Sequence, residues 1–217
     1  MSDMVIVIIL GGTAASLFLL FGPVIVAKYL SWHHPDASSD RKRRTLTQLL
    51  DCPYYVLPVA ELLKLPSDTS YQQLLISGRL VPARDGMDII FVAHEALGVR
   101  NPDPGRHHWH TLRGALRRML EGGSVVASEL GLSSDELRLL LPDAFVWFPR
   151  LCMPQPASEQ HPRLALDLLP EFQRMEAAIP AYIERSRFVL VLAPPVEHDE
   201  LPGTYCTYST WCSRGSR

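Results

Sequence analysis

From Met4 to Ala27 the chain carries no charged residue, reading MVIVIILGGTAASLFLLFGPVIVA, and beyond this run the apolar positions fall into short periodic stretches separated by turn residues. At about 1.5 Å per residue the run makes a helix of roughly 36 Å, enough to cross a hydrocarbon core of about 30 Å with some tilt. The residues ahead of it, Met1, Ser2 and Asp3, lack the basic start of a signal peptide. The basic residues Lys28, Arg41, Lys42, Arg43 and Arg44 come after it. The positive-inside bias therefore places the N-terminus outside and the rest in the cytoplasm. The expectation is a single-pass membrane anchor over 1–30, kinked near its cytosolic end by Gly22-Pro23. A juxtamembrane basic linker over 31–44 follows, whose Arg41–Arg44 run flanks the bilayer and meets anionic headgroups.

The next pattern, over 45–84, reads as a helical cap region. Thr45–Leu50 is amphipathic and breaks at Cys52-Pro53. Val59–Leu65 has helical spacing until Pro66, and Tyr71–Ile76 is a short helix closed by Gly78. From Asp85 the pattern changes. MDIIFVAHE, behind Asp85-Gly86, reads as a buried strand. Apolar residues at Trp109, Leu112, Leu116, Met119 and Leu120 mark an amphipathic helix ended by Gly122-Gly123. A second strand follows at Ala144–Phe148, then a helix from about Leu164 to Arg185, then a third strand at Arg187–Ala193 stopped by Pro194-Pro195. Alternating strands and helices predict an α/β domain over 85–217, a small parallel sheet in three layers. Ligands of such sheets sit beyond the carboxyl ends of the strands. Here those ends are His94-Glu95, the loop Pro149–Gln155 and Pro194–Asp199.

Composition narrows the function classes. A net charge of −2 with 20% charged residues lacks the basic excess of a nucleic-acid binder. The four cysteines, Cys52, Cys152, Cys206 and Cys212, form no C-x-x-C pair, and in a cytosolic domain they are reduced thiols. No P-loop, dinucleotide fingerprint or nucleophile elbow is present, so no cofactor is implied. The weak catalytic candidates are His94, a possible general base at a strand end, with Glu95 or Asp103 as its partner. His94-Glu95 does not open a zinc-protease motif, because the fifth position is Gly98. His107 and His110 share a helical face at i, i+3 and are the weak metal candidates, with Asp103 as a third ligand. Cys152 is a thiol whose nearest basic neighbour in sequence is Arg150.

Four segments carry a family resemblance: FVAHEALG at Phe91–Gly98 with NPDPG at Asn101–Gly105, WFPRLCMPQ at Trp147–Gln155, IPAYIERSRFVLVLAPP at Ile179–Pro195, and the ending YSTWCSRGSR at Tyr208–Arg217. Together they resemble a dinoflagellate and algal family that is similar in turn to Toll/interleukin-1 receptor (TIR) domains. The resemblance implies a flavodoxin/TIR-like sheet and association through strand-end loops, with Arg100 and Asp103 in the interaction loop. It also shows departures. Ala93 stands where the family has Ser, Ala96 where it has Trp, Pro149 where it has Asp, and Cys152 where it has Ser. The family's terminal W-C-x-x-E, whose Glu attacks NAD in enzymatic TIR domains, would lie past Arg217, so the expected domain is incomplete.

These readings converge on a single-pass membrane protein whose cytosolic TIR-like domain acts by homo- or hetero-association, with no nucleic-acid partner. The alternatives are a fragment of an enzyme cleaving NAD or another nucleotide, which lacks its C-terminal Glu, and a truncated copy without selected activity.

Overall fold

The computed structural model describes residues 4–9, 52–98, 103–122, 134–155, 162–199, 201–207 and 209–211. Its strands are β1 (Met4–Ile9), β2 (Tyr55–Pro58), β3 (Val81–Pro82), β4 (Ile89–His94), β5 (Phe145–Trp147), β6 (Phe188–Ala193), β7 (Glu197–His198) and β8 (Leu201–Tyr205). Its helices are α1 (Val59–Leu62), α2 (Tyr71–Ile76), α3 (His107–Leu120), α4 (Ser134–Leu140), α5 (Pro149–Cys152) and α6 (Pro162–Glu184). The architecture is α/β around a mixed sheet, in the order β1-β6-β4-β5-β2-β3.

The three strands read from the sequence are the parallel heart of that sheet, with β4 paired to β5 on one side and to β6 on the other. The all-parallel expectation needs correcting at the flanks. Strand β2 runs antiparallel to β5, and β1 antiparallel to β6. Tyr55–Pro58 is apolar and only four residues long, which is too short for periodicity to separate from the break at Cys52-Pro53. The predicted cap region thus supplies strands β2 and β3 as well as helices α1 and α2. Ser70 and Gln73 close a reciprocal capping box on α2.

At Met4–Ile9 the structure replaces the predicted helix with a strand, paired residue for residue from Met4↔Ala193 to Ile9↔Phe188. Valine and isoleucine, stiff at χ1, favour that choice in MVIVII. The rest of the predicted span, with Lys28, Arg41, Lys42, Arg43, Arg44 and the stretch 45–51, lies outside the described residues, as does Arg100. Among the described residues no helix is long and apolar enough to cross a membrane.

Strand alternation decides what each face of the sheet meets. On β4, Phe91 stacks on Trp147 of β5, at 4.6 Å between ring centroids, and Trp147 leans on Tyr182 of α6. Tyr182 also stacks on Tyr54 at 4.3 Å and donates its hydroxyl to the Pro53 carbonyl at 2.9 Å. Three residues along β4, His94 points to the other face and meets His108 of α3. Helices α3 and α6 therefore cover opposite faces. The topology requires this. The crossover through α3 carries the chain from β4 to β5, and the one through α6 carries it back past β4 to β6, so crossovers of the same hand deposit their helices on opposite sides. Between β4 and β6 the direction of travel reverses, which is the switch point where open α/β sheets form a crevice.

The core is continuous. Trp109, Leu112, Ala115, Leu116 and Met119 of α3 are buried, as are all six residues of β6.

Candidate functional site

The carboxyl ends of β4, β5 and β6 gather most of the buried titratable side chains of the described residues, and they sort into two clusters on opposite faces of the sheet.

The first cluster lies on the α3 face. Helix α3 begins behind Arg106, which sits in the left-handed region at φ 56° and provides no side-chain cap. Asp103 supplies the missing acceptor from four residues upstream of the helix. Its Oδ1 accepts the His108 backbone N–H at 3.1 Å, and its Oδ2 accepts that of Trp109 at 3.2 Å. These are two of the four amide donors that a helix start leaves without partners. The same Oδ1 lies 3.3 Å from His108 Nδ1. A carboxylate can only accept, so Nδ1 carries a proton toward it. Arg150 adds charge at 3.8 Å from Oδ2. Desolvation pushes the Asp103 carboxyl up, but the His108 ring and the two amides outweigh it and hold the group at about 2.

His108 is fully buried, and its Nε2 has no hydrogen-bond partner among the described residues. The half-buried His94 stands edge-on to it with centroids 4.9 Å apart, and Phe148 closes the far side of His94 at 5.3 Å. Desolvation first, and the neighbouring His108 second, push the His94 imidazole down to about 4. Asp103, His108 and His94 thus lie in a row from a buried carboxylate to a partly exposed imidazole, the two rings meeting edge-on and not through a hydrogen bond.

The second cluster lies at the switch point between β4 and β6. Glu95 leaves β4 on the side opposite His94, and its Oε1 lies 3.4 Å from His198 Nε2. Both side chains are almost completely buried. Thr210 donates its hydroxyl to Glu95 Oε2 at 2.9 Å. The backbone is fastened beside them, with Asp199 N–H on the Leu97 carbonyl at 2.9 Å and Cys206 N–H on the Val196 carbonyl at 2.7 Å. Trp211 packs against the core. His198 and Thr210 therefore occupy the place where sheets of this topology hold ligands.

Several sequence expectations change in consequence. His94 and Glu95 are not a catalytic pair, because adjacent residues of an extended chain point to opposite faces. Asp103 is a buried helix cap and histidine partner, which removes it from an exposed interaction loop. His107 and His110 are both exposed, and His107 lies over Gly105, where a Cβ would collide with its ring. Among the described residues no group of three or more His, Cys, Asp or Glu is placed to hold a metal. The Cys152 thiol contacts the Phe148 N–H and the Val146 carbonyl, and burial pushes it up to about 12. Arg150 turns away from it, toward Asp103 and the Ser67 carbonyl.

Sequence reasoning missed a three-arginine clamp. Arg113 donates to the Leu63 and Leu65 carbonyls, Arg150 to the Ser67 carbonyl at 2.7 Å, and Arg106 to the Ser67 hydroxyl at 2.7 Å. It ties the loop between α1 and α2 to α3 and α5 and satisfies the loop carbonyls of Leu63, Leu65 and Ser67. His108, His198 and Thr210 were also missed. His108 carried a signal, because it lies four residues before Leu112 on the apolar stripe of α3.

Comparison of this chain with protein-family models, with curated proteins and with solved structures finds no match.

Proposed function

We propose that this chain is a protein-association module on a TIR-like α/β frame, acting by self-association. One observation carries the reading. The end of β4 at the switch point is covered by His198 of β7 and by Thr210, and the β7–β8 hairpin that carries His198 exposes two large apolar side chains. Leu201 and Tyr205, at the two ends of β8, are 48% and 51% exposed. An apolar pair on a hairpin fixed by buried polar contacts is a preorganised contact surface. The test is sedimentation velocity of the full chain across micromolar concentrations, beside a Leu201→Ser/Tyr205→Ser variant. Concentration-dependent association that the double variant abolishes is the expected result. A wild-type chain that stays monomeric, or a variant that associates equally, overturns the reading.

A second reading, cleavage of NAD or another nucleotide, is favoured by the partly exposed His94 at the end of β4, which packs on the buried His108–Asp103 pair. It requires nicotinamide release from NAD that His94→Gln reduces. Release no faster than in buffer removes it.

A further inference from the structure

The loop between α1 and α2, residues 63–70, carries the hydroxyls of Ser67, Thr69 and Ser70, and the last two have local work. Thr69 donates its hydroxyl to the Pro66 carbonyl at 2.8 Å, and Ser70 closes the capping box of α2. Ser67 is met instead by two guanidinium groups from different elements. Arg106 Nη1 donates to its hydroxyl oxygen and Arg150 Nη2 to its carbonyl, each at 2.7 Å. Among the described residues neither arginine has an anion at hydrogen-bond distance. Arg106 is exposed, and the hydroxyl it meets is neutral. Arg150 Nη1 is buried and has no hydrogen-bond partner. Its approach to Asp103 Oδ2 stops at 3.8 Å, and that carboxylate already serves the His108 and Trp109 amides and the His108 ring. The two guanidiniums lie close enough to oppose each other's charge, while the exposed Asp68 beside Ser67 acts on Arg150 in the opposite sense. Two cations thus converge on one neutral, half-buried hydroxyl. A guanidinium fork binds an oxyanion more strongly than a hydroxyl, and its geometry matches the oxygens of a phosphoryl group.

We propose that Ser67 is a phosphorylation site, and that Arg106 and Arg150 receive the phosphoryl group once it is attached. The donor is a nucleoside triphosphate, brought by a separate transferring enzyme. The bond from Ser67 Oγ to the γ-phosphorus forms as the bond from that phosphorus to the β–γ bridging oxygen breaks. The nucleoside diphosphate leaves, and the hydroxyl proton passes to a base of the transferring enzyme. The product places nearly two negative charges and three acceptor oxygens where the two guanidiniums meet. Arg106 then donates to a phosphoryl oxygen in place of the neutral hydroxyl, and Nη1 of Arg150 gains the acceptor it lacks. The anions that oppose this seat are Asp68, which is exposed and therefore screened, and Asp103, which is shared with His108. The consequence is mechanical. A contact through one neutral hydroxyl becomes a charged fastening that pins the loop to the start of α3 and to α5. It also draws Arg150 off Asp103, the acceptor for the first amides of α3. This goes beyond the association reading and does not depend on it.

The experiment uses the full chain with phosphoserine placed at position 67 during synthesis, followed by phosphorus NMR against pH, folded and in urea. A phosphoserine free of such neighbours takes up its second proton near about pH 6. An opposite charge nearby lowers the pKa of an acid by about one to three units. The expected result is a folded midpoint about one unit below the urea value, about a ten-fold fall in proton affinity, which Arg106→Gln/Arg150→Gln returns to the urea value. Equal midpoints in the folded and unfolded chain overturn the seat, because the phosphoryl group then lies in solvent. A difference that persists in the double variant also overturns it, because another cation holds the group. If the double variant does not fold, Arg106→Gln decides alone, since that side chain is exposed; its midpoint should rise toward the urea value, and an unchanged midpoint overturns the seat. Peptide mass mapping of the chain isolated from its own cells, with phosphatases blocked, tests the modification itself. Phosphate on Ser67 is expected; a bare Ser67, or phosphate on Thr69 or Ser70 in its place, overturns the assignment.

Discussion

Replacing Asp103 removes the most heavily used carboxylate of the described structure, and its cost can be worked from the contacts. Asp103→Asn keeps the shape but not the charge, and its amide presents a donor to one of three donors: the His108 N–H, the Trp109 N–H or the His108 ring. Loss of a helix cap costs about 0.5–2 kcal/mol, and a buried donor left without an acceptor about 1–3 kcal/mol. The titration of the group gives a second figure from the same contacts. The carboxyl is held at about 2, against an ordinary value of 3.8. At about 1.4 kcal/mol per unit, this difference contributes about 2.5 kcal/mol of stability. Because the folded value is the depressed one, that contribution is fully present above pH 3.8 and is lost as the pH falls from 3.8 toward 2. Both routes give about 2–2.5 kcal/mol for Asp103→Asn near neutral pH, and Asp103→Ala, which removes every acceptor, costs about 3 kcal/mol. Urea unfolding followed by tryptophan fluorescence, run from pH 7 down to pH 2, measures the difference between wild type and variant. It should hold near its full value down to about pH 4 and shrink toward zero near pH 2. A difference under about 0.5 kcal/mol at pH 7, or one that does not change with pH, refutes the assignment of Asp103 as the charged cap of α3.

Three further outcomes follow from the same geometry. His94 is held at about 4 against an ordinary 6.5, so the unfolded chain takes up its proton first and wild-type stability falls as the pH drops from 6.5 to 4; His94→Gln should flatten that part of the profile, and an unchanged slope refutes it. Burial and the raised thiol predict that Cys152 resists alkylation in the native protein while the half-buried Cys52 reacts, which peptide mass mapping after a brief iodoacetamide pulse will show; early labelling of Cys152 refutes the packing. A disulfide between Ile6→Cys and Val191→Cys, in a background without the native cysteines, should form spontaneously if β1 holds its register, and should prevent flotation of the full chain with phospholipid vesicles; flotation of the cross-linked chain refutes the exclusion argued below.

Elements resting on one strong local signal were legible in the sequence. The continuous apolar runs of β4 and β6, and the stripe from Trp109 to Met119, gave two strands and a helix within a residue or two of their observed bounds. Strand β2 was not legible, because its identity comes from Leu57↔Val146 and Pro58↔Phe145 pairing with a strand some ninety residues away. The site divided in the same manner. Its location was readable, since β-α-β alternation directs attention to the strand ends at His94, Pro149 and Pro194. Its wiring was not readable: Asp103 meets His108 through a loop of irregular backbone, and Glu95 meets His198 and Thr210 across roughly half of the chain. No periodicity encodes such partners. The expected pairing of His94 with Glu95 could have been rejected from the alternation of β4 alone.

The N-terminal run shows where composition reaches its limit. A stretch of continuous apolar residues is compatible with a buried strand and with a membrane helix, and length alone favoured the helix. The pairing of Met4–Ile9 with β6 turns that ambiguity into a constraint. Residues 28–51 carry Lys28, Asp36, the Arg41–Arg44 cluster and Asp51, so the only stretch between β1 and β2 suited to cross a bilayer is 10–27. One crossing there would put Met4–Ile9 on the opposite side of the membrane from β6. The strand and the single-pass anchor therefore exclude one another. In the paired arrangement β1 covers the edge of β6, whose sequence FVLVLA has neither charge nor proline to discourage another strand. An N-terminus that left the sheet for the bilayer would uncover that edge, so membrane insertion and self-association would rise together in this chain.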